Sequence, residues 1–270
     1  MNEPKNNPQR KVWSSWLASM AVAAAALVAT PAQAIDVDAG DYTALPAGTK
    51  LGLLYYQHAQ RNRLYAGGDR VPIDARLDSD VGILRGVYFM EIGGFIVDPQ
   101  FLLPVGKLKA KNDLSALGSD SGIGDLLLAA TVWFNKPGSK ENFGITPFIF
   151  APIGSYDRNA ALNLVENRWK VALQAGWIKP LSDSVTMDLI ADFTLHGKND
   201  EFGAASTLKQ KPLYQFQGWW RYHLSPQLDL RFGLSQLLGG ETKVDGVAQD
   251  DRQSTSKFSL GAGYFVGPTT

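Results

Sequence analysis

Histidine is the side chain best suited to moving protons near neutral pH. This 270-residue chain has three, His58, His196 and His223. A hydrolase would need a serine, a histidine and an orienting acid within hydrogen-bond reach. The nearest serine pattern, Gly233-Leu-Ser-Gln-Leu237, lacks the closing glycine of a nucleophile elbow. Gly122-Ile-Gly124 lacks the third glycine and the following helix of a dinucleotide site. With no cysteine, the chain has no thiolate nucleophile, thiolate metal site or disulfide framework. Asp36-Val-Asp38-Ala-Gly40-Asp41 begins like a calcium loop, but its twelfth position is Ala47, where a bidentate Glu is needed. A polar, solvated N-terminal segment accounts for those aspartates. We therefore expect no catalytic, cofactor-binding or metal-binding residues, and no enzyme.

The histidines belong instead to a pattern of alternation. From Arg168 to Lys179, Trp169, Val171, Leu173, Ala175 and Trp177 alternate with Arg168, Lys170, Ala172, Gln174 and Gly176. After the turn formers Pro180–Ser184, Val185, Met187, Leu189, Ala191, Phe193 and Leu195 alternate with Thr186, Asp188, Asp192, Thr194 and His196. Period two over about 11 residues, twice around a tight turn, is a β-hairpin. Strands of this length, apolar on one face with aromatics near the ends and charged on the other, match a transmembrane barrel. The expected fold is all-β, a transmembrane antiparallel β-barrel with about ten strands present. They fall near 49–64, 77–91, 95–104, 123–134, 143–154, 168–179, 185–196, 212–224, 228–238 and 257–267. Connections alternate long after odd strands and short after even ones, the parity of outer loops and periplasmic turns.

That parity assigns the residues expected to line the lumen: Arg168, Lys170, Gln174, Asp188, Asp192, His196, Gln217, Arg221, His223, Asp229 and Arg231. His196 then lies near the outer rim and His223 near the periplasmic rim, roughly 25 Å apart, so they share no substrate atom. His58 lies on a strand whose parity is ambiguous. A turn centred in 180–184 sets Lys170 opposite Thr194, with Arg168 near His196. A turn at 225–227 sets His223 opposite Asp229, and Arg221 beside Arg231. Trp169 and Trp177 should both face lipid, about 20 Å apart along the membrane normal. Pro99, Pro104, Pro147 and Pro152 fall inside expected strands, where each removes a ladder donor. They should mark bulges or a loosened wall.

Lys5, Arg10 and Lys11 precede an apolar run from Trp16 to Val28 and then Pro31-Ala-Gln-Ala34, the layout of a secretory signal peptide over 1–34. Its removal takes three basic residues and one acidic from the balanced 26 and 26, leaving 23 against 25 and a net charge of −2. That balance offers nothing to a polyanion such as nucleic acid. The roughly 235 remaining residues, 35–270, suit one barrel domain. The expected setting is the bacterial outer membrane, with its lipids and lipopolysaccharide as partners. Asp245 with Asp250-Asp251 reads as a solvated outer loop; a divalent cation bridging lipopolysaccharide is the alternative.

The segments Gly40-DYTALPAGT-Lys50, Leu77-DSDVGILR, Val97-DPQFLLP, Ser121-GIGDLLLAATVW, Phe143-GITPF, Gly154-SYD, Glu166-NRWKVALQAGW and Val244-DGVAQDDR carry a resemblance. Through them the chain resembles the outer-membrane proteins of the meta-pathway of phenol degradation family, over almost all of 40–269. The resemblance implies a barrel linked to aromatic catabolism that passes small hydrophobic compounds, with no cofactor. It implies twelve strands when complete, because relatives continue past the Val266-Gly-Pro-Thr segment with another hairpin; closure at ten stays open. The function expected from it is a channel for passive uptake of small hydrophobic or aromatic solutes. The alternative is a structural or adhesive barrel with a plugged lumen.

Overall fold

The computed structural model describes residues 35–66, 69–135, 139–203 and 205–266. The expected signal peptide, 1–34, lies outside the described residues. Ten long strands pair antiparallel in chain order: β1 (Lys50–Arg61), β2 (Ala75–Tyr88), β3 (Phe95–Asn112), β4 (Leu126–Trp133), β5 (Asn142–Ala151), β6 (Lys170–Pro180), β7 (Val185–His196), β8 (Leu213–Ser225), β9 (Leu228–Gly239) and β10 (Gln253–Tyr264). The sheet curls without closing: among the described residues no ladder joins β1 to β10. Two short pieces continue the long strands. Met90–Ile92 prolongs β2 against the start of β3, and Ser119–Ile123 prolongs β4 against Val105–Lys109.

Alternation builds the wall. On β7, Thr186, Asp188, Ile190, Asp192 and Thr194 are buried inside the curl, whereas Leu189, Ala191, Phe193 and Leu195 are exposed on the outer face. On the outer face next to β6, Trp169 is 60% exposed, and Trp177 is half-buried with Nε1 donating to Glu141 at 3.2 Å. The outward apolar band, carried by residues such as Leu84, Phe101, Leu128, Ile149, Leu173, Leu189, Phe216, Leu230 and Leu260, suits lipid, which offers backbone groups no hydrogen bonds and so demands paired strands. No helix among the described residues is long and apolar enough to cross a membrane.

Three expectations need correction. The third strand does not stop near 104 but runs to Asn112, with Val105–Asn112 paired to Ala75–Gly82. Lys107, Lys109 and Lys111 alternate with the buried Leu108 and Ala110, so the period of two persists. The lysines lie on the outer face, where charge reads as loop. The last strand is Gln253–Tyr264 rather than 257–267, because Gly239 pairs with Gln253 and carries the ladder four residues nearer the loop. In the 180–184 turn, Pro180 stays in the ladder opposite Thr186, and the chain bends after it, with Leu181 N donating to Val185 O. That moves the register by two, so Lys170 faces His196 and Ala172 faces Thr194.

The prolines loosen one region. Pro99 pairs with Ala130, and the β4–β5 ladder skips from Ala129↔Phe148 to Val132↔Ile145, leaving Pro147 unbridged there. Opposite Pro104 the pairing shifts from Val105↔Ile123 to Leu102↔Leu127, a bulge formed by Gly124 and Asp125. Pro152 lies just past the end of β5.

Candidate functional site

The interior is occupied by residues 35–49, which run inside the curl before β1 begins. This corrects the expectation of a solvated N-terminal segment in part: Asp36, Asp38 and Asp41 are exposed, but Val37 and Tyr42 between and beside them are 7% and 6% exposed. The wall holds the segment by its backbone. Gln174 Nε2 and Gln217 Nε2 donate to Ile35 O at 3.1 and 3.0 Å, and Trp219 Nε1 donates to Val37 O at 2.9 Å. Val37 N donates to Gln217 Oε1 at 3.2 Å, Gly40 N to Asp188 Oδ2 at 2.7 Å, and Ala44 N to Asn142 Oδ1 at 3.0 Å. Asp36 receives Lys257 Nζ at 2.6 Å and Gln215 Nε2 at 2.7 Å, while Asp41 receives Arg85 Nη1 at 3.0 Å. The segment thus ties β10 to β2 across the inside of the open sheet. Its side chains add an apolar grip: Val37 and Tyr42 pack with Val87, Phe89, Trp133, Ile178 and Ile190.

The residues expected to line the lumen all lie on the inner face, in three tiers. At the periplasmic end, Arg221 faces Arg231 and His223 faces Asp229, as the turn geometry requires. The two arginines avoid repulsion by taking separate acids: Arg221 bonds Asp188 at 2.9 Å, and Arg231 bonds Asp229 at 2.6 Å. His223 pairs with Thr186 Oγ1 at 2.9 Å. The middle tier holds Gln174, Asp192 and Gln217, with Gln174 donating to Asp192 at 3.2 Å. Among the described residues, Asp192 Oδ1, Thr194 Oγ1 and Gln215 Oε1 have no hydrogen-bond partner. The outer tier gathers Arg168 and Lys170 on Glu166, with Lys170 Nζ at 2.6 Å, beside the half-buried His196. Burial pushes the Glu166 carboxyl up, but Lys170 and Arg168 outweigh it and hold it down at about 2.

Sequence reasoning missed the opposite wall. Arg85 Nε donates to Gln100 Oε1 at 2.9 Å and Arg85 Nη1 to Tyr55 Oη at 3.0 Å. Asp98 accepts Trp133 Nε1 and Thr131 N, both at 2.9 Å. Asp98 and Gln100 alternate with Val97, Pro99 and Phe101, but two prolines and mixed parity on the neighbouring strands hid the pattern. The ambiguous His58 points outward, its Nδ1 2.7 Å from Asp80 Oδ1. In the outer loops, Asp245 accepts Thr207 N, and Asp251 accepts Thr242 N and Oγ1. These carboxylates are capping turns, and no metal-type cluster occurs among the described residues.

Two cavities among the described residues bear on this interior. One of about 70 Å³ lies against the segment, between Tyr42, Arg85, Asp98, Gln100 and Gln174. The other, about 260 Å³, lies toward the outer end, between Ile83, Pro104, Leu127, Phe150, Leu164 and Glu166. A single apolar cluster contributes to both: Leu127 and Phe150 to the outer cavity, Ile35, Leu102 and Phe148 to the inner. It forms the partition between them. This is a barrel interior with an outer chamber above a tethered segment, its wall apolar on the side of Ile83, Leu127 and Phe150 and charged at Arg61, Asp125, Glu166 and Lys170.

The family described as "Putative MetA-pathway of phenol degradation" matches residues 59–270. The chain belongs to this family. Among solved structures, an outer-membrane channel from Pseudomonas putida F1 is 41% identical, with a TM-score of 0.83 over 86% of this chain and 88% of that one. No curated protein sequence matches. Family, fold and lipid-type outer face together locate the chain in the bacterial outer membrane, as an all-β member of a channel-forming group linked to phenol degradation.

Proposed function

We propose that the chain passes small, mainly apolar and aromatic compounds into the periplasm by passive entry. The observation that carries this reading is the outer chamber of about 260 Å³, closed below by the apolar partition around Ile35, Leu102 and Phe148. A chamber of that size takes a single-ring solute, and the apolar part of its wall, at Ile83, Leu127, Phe150 and Leu164, rewards transfer from water by about 0.8 kcal/mol per buried CH₂. Passage downward requires the partition and residues 35–49 to yield. Their polar ties include the ion pairs Asp36–Lys257 and Asp41–Arg85, at the partly exposed ends of flexible side chains, and neutral hydrogen bonds each worth about 1 kcal/mol net. Pro104, Gly124 and Asp125, the bulge in the wall, also line the chamber and supply a second, lateral route toward lipid. The neighbour from Pseudomonas putida F1, itself an outer-membrane channel, supports the same reading.

The threaded segment also favours a second reading, a structural barrel whose lumen stays plugged. Uptake separates the two. Deleting the protein should slow entry of toluene and phenol into whole cells at limiting concentration, and the full chain should restore it. Equal uptake with and without the protein would discard the channel and favour the structural barrel.

A further inference from the structure

We propose that the outer surface of β1–β3 carries a seat for the phosphates of lipid A, in the outer leaflet. On three adjacent strands the lipid-facing side changes character at one step of the register. Tyr56, Gly82 and Val105 align as the last apolar row, since Tyr56 pairs with Gly82 and Gly82 with Val105. The next outward row is His58, Asp80 and Lys107, and the one beyond is Gln60, Asp78 and Lys109, followed by Arg76 opposite Lys111. Side chains cannot carry charge beside hydrocarbon at low cost. The change of row therefore marks where acyl chains give way to headgroups.

The charges in this patch are unequal in sign and in pairing. Asp78 is engaged by Arg76 at 2.9 Å and Lys111 at 2.5 Å, and Asp80 by Tyr56 and His58, both at 2.7 Å. Lys107 and Lys109 are exposed, and neither is in an ion pair among the described residues. Alternate residues of one strand stand about 7 Å apart on a rigid ladder. The two lysines thus rise from fixed backbone positions and form a cationic step above the apolar band. The lipid-facing ends of β6–β8 carry Val171, Leu195 and Tyr214 instead, so that side of the barrel lacks the step. A bisphosphorylated glycolipid fits this surface: its acyl chains lie along Tyr56, Leu84 and Val105, and its phosphates meet Lys107 and Lys109. Juxtamembrane lysines draw anionic headgroups in this way.

The test is binding of bisphosphorylated and of dephosphorylated lipid A to the full chain in detergent, read by native mass spectrometry. The wild type should hold the bisphosphorylated lipid on the order of ten-fold tighter than the dephosphorylated one. The Lys107→Gln/Lys109→Gln variant should lose that preference, and Lys107→Arg/Lys109→Arg should keep it. Heat-dependent gel mobility establishes that each variant is folded. Lys198→Gln/Lys209→Gln, in an outer loop, should behave as wild type. Equal affinity of the wild type for both lipids would overturn the proposal, as would an unchanged preference in the folded Gln variant. Should the Gln variant fail to fold, salt decides: a phosphate preference that persists undiminished at high salt contradicts seating on lysines.

Discussion

Tyr42 rests its ring where any side chain at position 176 would have to be: a Cβ built on Gly176 would fall 2.2 Å from the ring. The wall has a glycine there because the threaded segment presses an aromatic ring against it. Tyr42 Oη then reaches Thr146 Oγ1 at 2.7 Å, and the ring meets Trp133 edge-on at 5.7 Å.

Gly176→Ala should therefore dislodge the segment while leaving the strand paired. Overpacking of this kind costs about 1–3 kcal/mol, which falls on the Tyr42 contacts. Planar-bilayer recordings should show a larger unitary conductance than wild type. A conductance equal to wild type would mean that the segment tolerates the methyl group and does not limit the lumen.

Arg221 and Asp188 offer a test of the periplasmic tier. Asp188 is 1% exposed and accepts both Arg221 and Gly40 N. Arg221→Met strands a buried carboxylate, a change worth about 3–5 kcal/mol. The urea midpoint of the protein folded in vesicles should fall accordingly. Adding Asp188→Leu should recover much of the loss; a double variant less stable than the single one would refute the pairing account.

The outer tier should respond to acid. The Glu166 carboxyl is held down at about 2, below its ordinary 4.5. A depressed carboxylate stabilises the folded state fully above the ordinary value and loses that contribution as pH falls through the folded one. Stability conferred by Glu166 should thus be constant above about pH 4.5 and decline from there toward pH 2. Thermal melts across this window should show a slope in the wild type that is smaller in Glu166→Gln. Identical slopes in both proteins would place the titration elsewhere.

The later strands were legible because the lipid face and the lumen face differ sharply in chemistry. Val185–His196 has the bounds its alternation dictates, and Arg221 beside Arg231 is the register that a turn at 225–227 sets, reached through a one-residue irregularity at Leu224. The earlier strands were harder, since β3 keeps its period of two while its outer face passes from Phe101 to Lys107 and Lys109. A strand that leaves the membrane loses the apolar half of its signature. The lumen's occupant was hidden for another reason. Asp36, Asp38 and Asp41 read as solvated, and only the fold places Gln215, Lys257 and Arg85 around two of them. Local sequence carries no trace of partners about 180 residues away.

Phe148 is the wall residue on which the proposed passage turns, because it belongs to the partition and lines the inner cavity. The most direct test is the initial rate of toluene uptake at limiting concentration in three otherwise identical strains. One lacks the protein, one carries the wild type, and one carries Phe148→Ala. The rate should rise in that order, with the widened partition giving the fastest entry. Three equal rates would contradict a channel for apolar solutes.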